Sequence, residues 1–230
     1  MTDGSRRASA QAVWWRRPGR AWLALALLLA LGSAVAHGRP PATLAAIDWQ
    51  PGLAWVEPWR AYSAAFVHYS NLHLLGNAAG LALTAAYGVA ARVPPRLALA
   101  WFIAWPLTQF GLLAQPALAH YGGLSGVVHA GVAIVTLYVI LIGHRWIGGT
   151  VLAMLFVKLA TESPFGAPLR HESGWDIALA PLAHATGVAA GLLCCGVAET
   201  LARSEKCTST PAAAAASGSD TNASPHSCTG

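Results

Sequence analysis

Three groups of residues have types and spacings suited to chemistry. His73 and Asn77 stand four apart, Ser125 sits within Gly122-Gly123-Leu124-Ser125-Gly126, and His184 precedes Gly187 and Gly191. A serine hydroxyl is a weak nucleophile until a base takes its proton, and histidine is the usual base near neutral pH. Ser125 and His184 therefore read as nucleophile and general base of an acyl transfer. His129, one helical turn after Ser125, is a second histidine that competes for the role of base. On one helix His73 and Asn77 share a face, and both can donate hydrogen bonds. With the Ser125 backbone N–H they would stabilise the oxyanion of a tetrahedral intermediate. His184, Gly187 and Gly191 at i, i+3 and i+7 also line one face, where the glycines permit close approach of a neighbouring backbone. Gly123 and Gly126 flank the serine and keep the start of its helix open.

The medium that holds these groups is set by composition. Of 230 residues, 55% are hydrophobic and 10% charged, against about 25% charged in an average soluble domain. So few charges would leave large apolar patches in water. That excludes an ordinary cytosolic enzyme and argues against nucleic-acid binding despite the net charge of +5. A multi-span membrane protein remains, with the lipid bilayer as its solvent. Strongly polar side chains inside such helices are costly, so each is a functional candidate.

Apolar runs at about 21–36, 66–90, 97–118, 124–142, 146–160 and 177–198 predict six helices. The expected fold class is all-α, a polytopic six-helix bundle. It divides into a basic tail (1–20), a membrane domain (21–200) and a disordered tail (201–230). Arg6, Arg7, Arg16, Arg17 and Arg20 before the first run place the N-terminus inside by the positive-inside rule. The same pattern also fits a cleavable signal peptide, with Ala34-Val35-Ala36 as its small-residue site. Six alternating spans put Arg92, Arg96, Arg145, Arg203 and Lys206 inside as well, and Arg39, Arg60 and Arg170 outside. Ten bases against three support both termini being cytoplasmic. The second, fourth and sixth helices then run inward from the outer face. Ser125 lies at the outer start of the fourth. His73 and His184 each lie seven residues into their runs, roughly 10 Å down. All three share one shallow depth.

Other polar residues receive plainer readings. His68 reads as a structural hydrogen-bonder in the second helix. Zinc held by His68 and His73 is disfavoured, because i, i+5 puts them on different helix faces. Trp59 and Arg60 read as loop anchors, and Lys158 and Glu162 at i, i+4 as a structural pair or a substrate-positioning one. Cys194, Cys195, Cys207 and Cys228 show neither metal spacing nor a disulfide framework. No metal or cofactor is expected.

Gly123-Leu124-Ser125-Gly126 resembles the GxSG motif of rhomboid intramembrane serine proteases, and His73-Leu74-Leu75-Gly76-Asn77 their HxxxN motif. His184 with Gly187 and Gly191 is similar to the pattern on their last helix, and Trp59-Arg60 to the pair in their first loop. The likeness runs from Trp59 to Gly196. Within the family, Tyr121 to His129, Lys158-Leu159 with Glu162, and Ala183-His184 resemble the bacterial rhombosortases. The resemblance implies a Ser125–His184 dyad lacking the acid of a triad, with His73, Asn77 and the Ser125 N–H as oxyanion site. It further implies an inner-membrane location with the site facing the periplasm. Its partners would be proteins carrying a glycine-rich C-terminal anchor, a hydrophobic span and a basic end. One departure is His129, where many rhomboids have a tyrosine packed on the catalytic histidine. Two other functions compete: a catalytically silent adaptor that binds transmembrane segments, and a histidine-using transporter. The adaptor would usually lack the serine or histidine. The transporter predicts repeated halves, and none are visible.

Overall fold

Each of the six apolar runs forms a helix in the computed structural model, which describes residues 17–216, with side chains through residue 205. The long helices are α1 (Arg20–Ala36), α4 (Asn71–Ala90), α5 (Pro95–Gly111), α6 (Ser125–Leu141), α7 (Arg145–Glu162) and α8 (Pro181–Ala216). Short helices α2 (Pro41–Ile47) and α3 (Arg60–Ser63) lie between α1 and α4. A hairpin of two-residue strands, β1 (Arg170–His171) and β2 (Ala178–Leu179), precedes α8, with Arg170 opposite Leu179 and His171 opposite Ala178. The protein is mostly helical.

Among the described residues, three helices are long and apolar enough to cross a membrane: α4, α5 with its 3-10 extension to Ala114, and α8 over Pro181–Glu205. Helices α1 and α6 are apolar but shorter. Alongside an apolar core, many large apolar side chains face outward and several polar ones are buried. Leu27, Leu31, Leu75, Leu83, Met154 and Leu193 are exposed, whereas His73, Asn77, Thr108, Gln109, Thr136 and His184 are buried.

Helix α6 is central and packs against α4, α5, α7 and α8, while α1 packs on α4 and α5. The tightest approach is between α6 and α8. A Cβ on Gly187 would fall 2.1 Å from the Gly126 carbonyl oxygen, and one on Gly191 2.4 Å from that of Ala130. Only hydrogen fits there. Trp22 of α1 stacks on Trp101 of α5 with centroids 4.2 Å apart, and its indole N–H donates to the Thr84 carbonyl at 3.1 Å.

Several expected boundaries are corrected. Helix α4 starts at Asn71 rather than 66, because Ser70 caps it by accepting from the His73 N–H at 3.0 Å. His68 is therefore off the helix. Helix α8 starts at Pro181 rather than 177; residues 178–179 are paired in the hairpin, and proline suits a first helical position. Helix α5 stops at Gly111 and tightens into a 3-10 turn, since Gln115 before Pro116 is pushed away from helical angles. Where a disordered tail is expected from 201, α8 continues to Ala216, the last of five alanines, the strongest helix formers; residues 217–230 of that tail lie outside the described residues. Arg6, Arg7, Arg16 and Cys228 lie outside the described residues.

The connection from α1 to α4 is folded around one buried cation. Arg60, 7% exposed, donates to the carbonyls of Ala45 and Asp48 at 3.0 and 3.1 Å and pairs with the Glu57 carboxylate. Beside it the Trp49 and Tyr121 backbones exchange hydrogen bonds of 2.7 and 2.8 Å. The first loop is thereby fastened to the segment that leads into Ser125. Arg60, expected to anchor the loop at the lipid interface, is instead buried inside the loop and held by its carbonyls and carboxylates.

Candidate active site

Ser125 is the first residue of α6 and His184 lies in the first turn of α8. The contact between Gly126 and Gly187 is adjacent to both, so the two helix starts are brought together there. Ser125 Oγ lies 3.1 Å from His184 Nε2. His184 Nδ1 lies 2.7 Å from Glu162 Oε2. The tautomer follows from the partners: Nδ1 faces a carboxylate and carries the proton, which leaves Nε2 free to accept from the serine hydroxyl.

Glu162 was missed as a site residue. It ends α7, where Lys158 grips its other oxygen, so the expected i, i+4 pair is present. The same carboxylate also meets His184, and a dyad without an acid does not describe this geometry. Nothing in local spacing connects Glu162 to His184 across 22 residues. The available signal was an acid that the expected six-span topology places at the same end as Ser125 and His184.

His129 is differently engaged. Its Nδ1 donates to the Ser125 carbonyl at 2.7 Å, and its ring stacks on His184 at 4.2 Å and 17°. It occupies the packing position on the candidate base, while His184 presents the nitrogen to Ser125 Oγ.

His73 and Asn77 are buried on α4, and His73 Nδ1 and Asn77 Nδ2 have no hydrogen-bond partner. Both side chains converge on Gly123, two residues before the serine. A Cβ there would fall 2.8 Å from His73 Nε2 and 3.8 Å from Asn77 Nδ2. Gly123 also has φ +138°, a backbone conformation that favours glycine. The Ser125 N–H belongs to the first turn of α6, whose amides have no acceptor within the helix. His73 and Asn77 thus border Gly123, two residues before Ser125, and His73 and Ser125 line one cavity. If they hold an oxyanion, His73→Ala and Asn77→Ala should each lower kcat about 10²- to 10³-fold with little change in KM. Steady-state kinetics on a peptide or protein reporter check this.

His68 donates from Nδ1 to the Phe66 carbonyl at 3.1 Å, and its ring lies 4.9 Å from that of His73. His68 is off the helix, so the i, i+5 separation of helix faces does not apply to the pair. Among the described residues, no three His, Cys, Asp or Glu side chains gather as a metal set.

A cavity of about 590 Å³ lies over Ser125, His184 and His73, with walls from Leu44, Tyr69, Leu169 and Ile177. Tyr69 donates to Asp48 Oδ2 at 3.2 Å. Burial, and next the Asp48 charge, push the phenol well above its usual range, so it stays protonated. Over the cavity the loop before α8 reaches α4. Ser70 Oγ donates to Asp176 at 2.7 Å, and Trp175 covers Gly76, where a Cβ would lie 2.5 Å from the indole. Asp176 is engaged by Ser70, while Glu162 accepts a hydrogen bond from His184 Nδ1.

The chain matches no model of a known protein family and no curated protein.

Proposed function

We propose that the chain is an intramembrane serine endopeptidase of the rhomboid type, cleaving rhombosortase-like substrates with a glycine-rich C-terminal membrane anchor. The observation that carries this reading is the 3.1 Å approach of His184 Nε2 to Ser125 Oγ, with His73 on the same cavity and Asn77 bordering Gly123 two residues before the serine. In the reaction, His184 Nε2 takes the serine proton as Oγ attacks the scissile carbonyl carbon. The oxyanion is received by His73, Asn77 and the Ser125 N–H. The imidazolium returns its proton to the leaving amine, and water then hydrolyses the acyl-enzyme by the same route. No cofactor is required.

Six spans with both termini cytoplasmic suit this chemistry. Helix α6, at 17 residues about 25 Å long, is shorter than a bilayer core of about 30 Å. Its four neighbours shield it, and its short end opens on the cavity, where non-helical backbone is tolerated at membrane depth. The excess of Arg and Lys on the opposite connections favours an inner-membrane protein with its site toward the periplasm.

A fluorophosphonate probe tests the assignment directly. Wild-type protein in membranes should be labelled at Ser125, and Ser125→Ala should not. No labelling of either would favour an adaptor that binds transmembrane segments without cutting them.

A further inference from the structure

We infer that Glu162 is a positioning residue of this site, so that the chemistry runs through Ser125, His184 and Glu162 rather than through a pair. The inference rests on the serine peptidase reading. Two functions fall to the carboxylate. Accepting the Nδ1 proton at 2.7 Å fixes the tautomer in which Nε2 can act as base. As Nε2 takes the serine proton, the ring becomes an imidazolium in a buried position, 6% exposed. An adjacent negative charge offsets that cost.

The surroundings make this carboxylate matter more. Facing His184 are Lys158 and Glu162 from α7, His129 from α6 and Ser125 itself, with His73 across the cavity. The Lys158 ammonium lies 3.4 Å from Nδ1, which already carries a proton, so Lys158 bonds Glu162 instead. Without Glu162, the forming imidazolium would face a bare ammonium. One carboxylate thus orients the base and neutralises the cation beside it.

A merely structural role is separable. Helix α7 is seated by Leu155 and Leu159 against Ala133 and Val188, contacts that a change at Glu162 leaves intact. Glu162→Gln keeps the shape of the side chain, but its amide can donate to Nδ1 and so favours the unproductive tautomer. We expect kcat to fall at least 100-fold, approaching the roughly 10⁴-fold known for neutralised triad carboxylates, with KM and melting temperature unchanged. Glu162→Asp should recover part of the rate, and fluorophosphonate labelling of Ser125 should slow in parallel with kcat. In addition, ¹⁵N-resolved imidazole spectra of the wild type should show His184 protonated at Nδ1.

A Glu162→Gln rate within threefold of a wild type that cleaves and labels normally would overturn the inference and leave the peptidase reading standing. So would a wild-type His184 protonated at Nε2, whatever the fate of the variant. A wild type that neither cleaves nor labels would overturn both.

Discussion

Ser125→Ala is expected to reduce cleavage of a C-terminally anchored reporter by about 10⁴-fold or more, and His184→Ala by a similar factor. In the proposed reaction both groups take part in one proton transfer across 3.1 Å, so removing either would disable the other. The double variant should accordingly be no slower than either single one, as happens when residues act as a unit. What survives is the contribution of substrate binding and the oxyanion donors. His129→Ala is the informative contrast. Its nitrogen bonds the Ser125 carbonyl and its ring packs on His184, so the loss should be smaller than for His184→Ala. Comparing reporter cleavage in reconstituted vesicles for the four variants decides the matter. Wild-type rates in purified Ser125→Ala or His184→Ala would sink the catalytic assignment.

Gly187→Val should be nearly as damaging although it touches no reacting atom. The first carbon of the side chain would sit 2.1 Å from the Gly126 carbonyl oxygen and 2.9 Å from its carbon. Both are backbone atoms of a packed helix, and they cannot rotate away. Helices α6 and α8 must separate by about 1 Å or more, at a cost of about 3 kcal/mol. That separation also opens the gap between Ser125 and His184. We expect a lowered unfolding midpoint in detergent together with near-complete loss of cleavage. Gly196→Ala is the control, because a Cβ there meets nothing within 4 Å; it should leave both properties unchanged.

The parts of this site that could be read from sequence are those with a local cost. A histidine or asparagine within an apolar helix needs a reason to be there, which singled out His73, Asn77 and His184. Glycines spaced along one face announced a close packing partner for α8. The shared depth expected for His73, Ser125 and His184 rested on helix starts at 66 and 177 that the fold does not use. Residues 66–70 and 177–180 are apolar enough to extend a run, yet the Ser70 cap and the hairpin end them as helix. With the true boundaries, His73, Ser125 and His184 all fall in first turns. Glu162 stayed hidden because its partner is set by how α7 lies against α8, a tertiary fact with no periodicity. Asp48 was hidden likewise. Its carboxylate gathers Tyr69, His120 and Gln50 from three separate segments.

The seating of α7 turns a small rotation into a large displacement. Gly148 presses one end of that helix onto α6, where a Cβ would meet Ile140 at 2.5 Å and the Thr136 carbonyl at 2.9 Å. Glu162 rides at the other end, 14 residues away or about 21 Å along the axis. Pivoting α7 by about 5° about Gly148 would swing Glu162 through about 2 Å at that radius. That is enough to part it from the His184 proton, while Ser125 and His184, on other helices, stay in register. If the chain is the peptidase proposed, α7 is in this sense a lever arm with a chemical pointer at its tip, and a tilt of it would register first as a change in how readily Ser125 reacts.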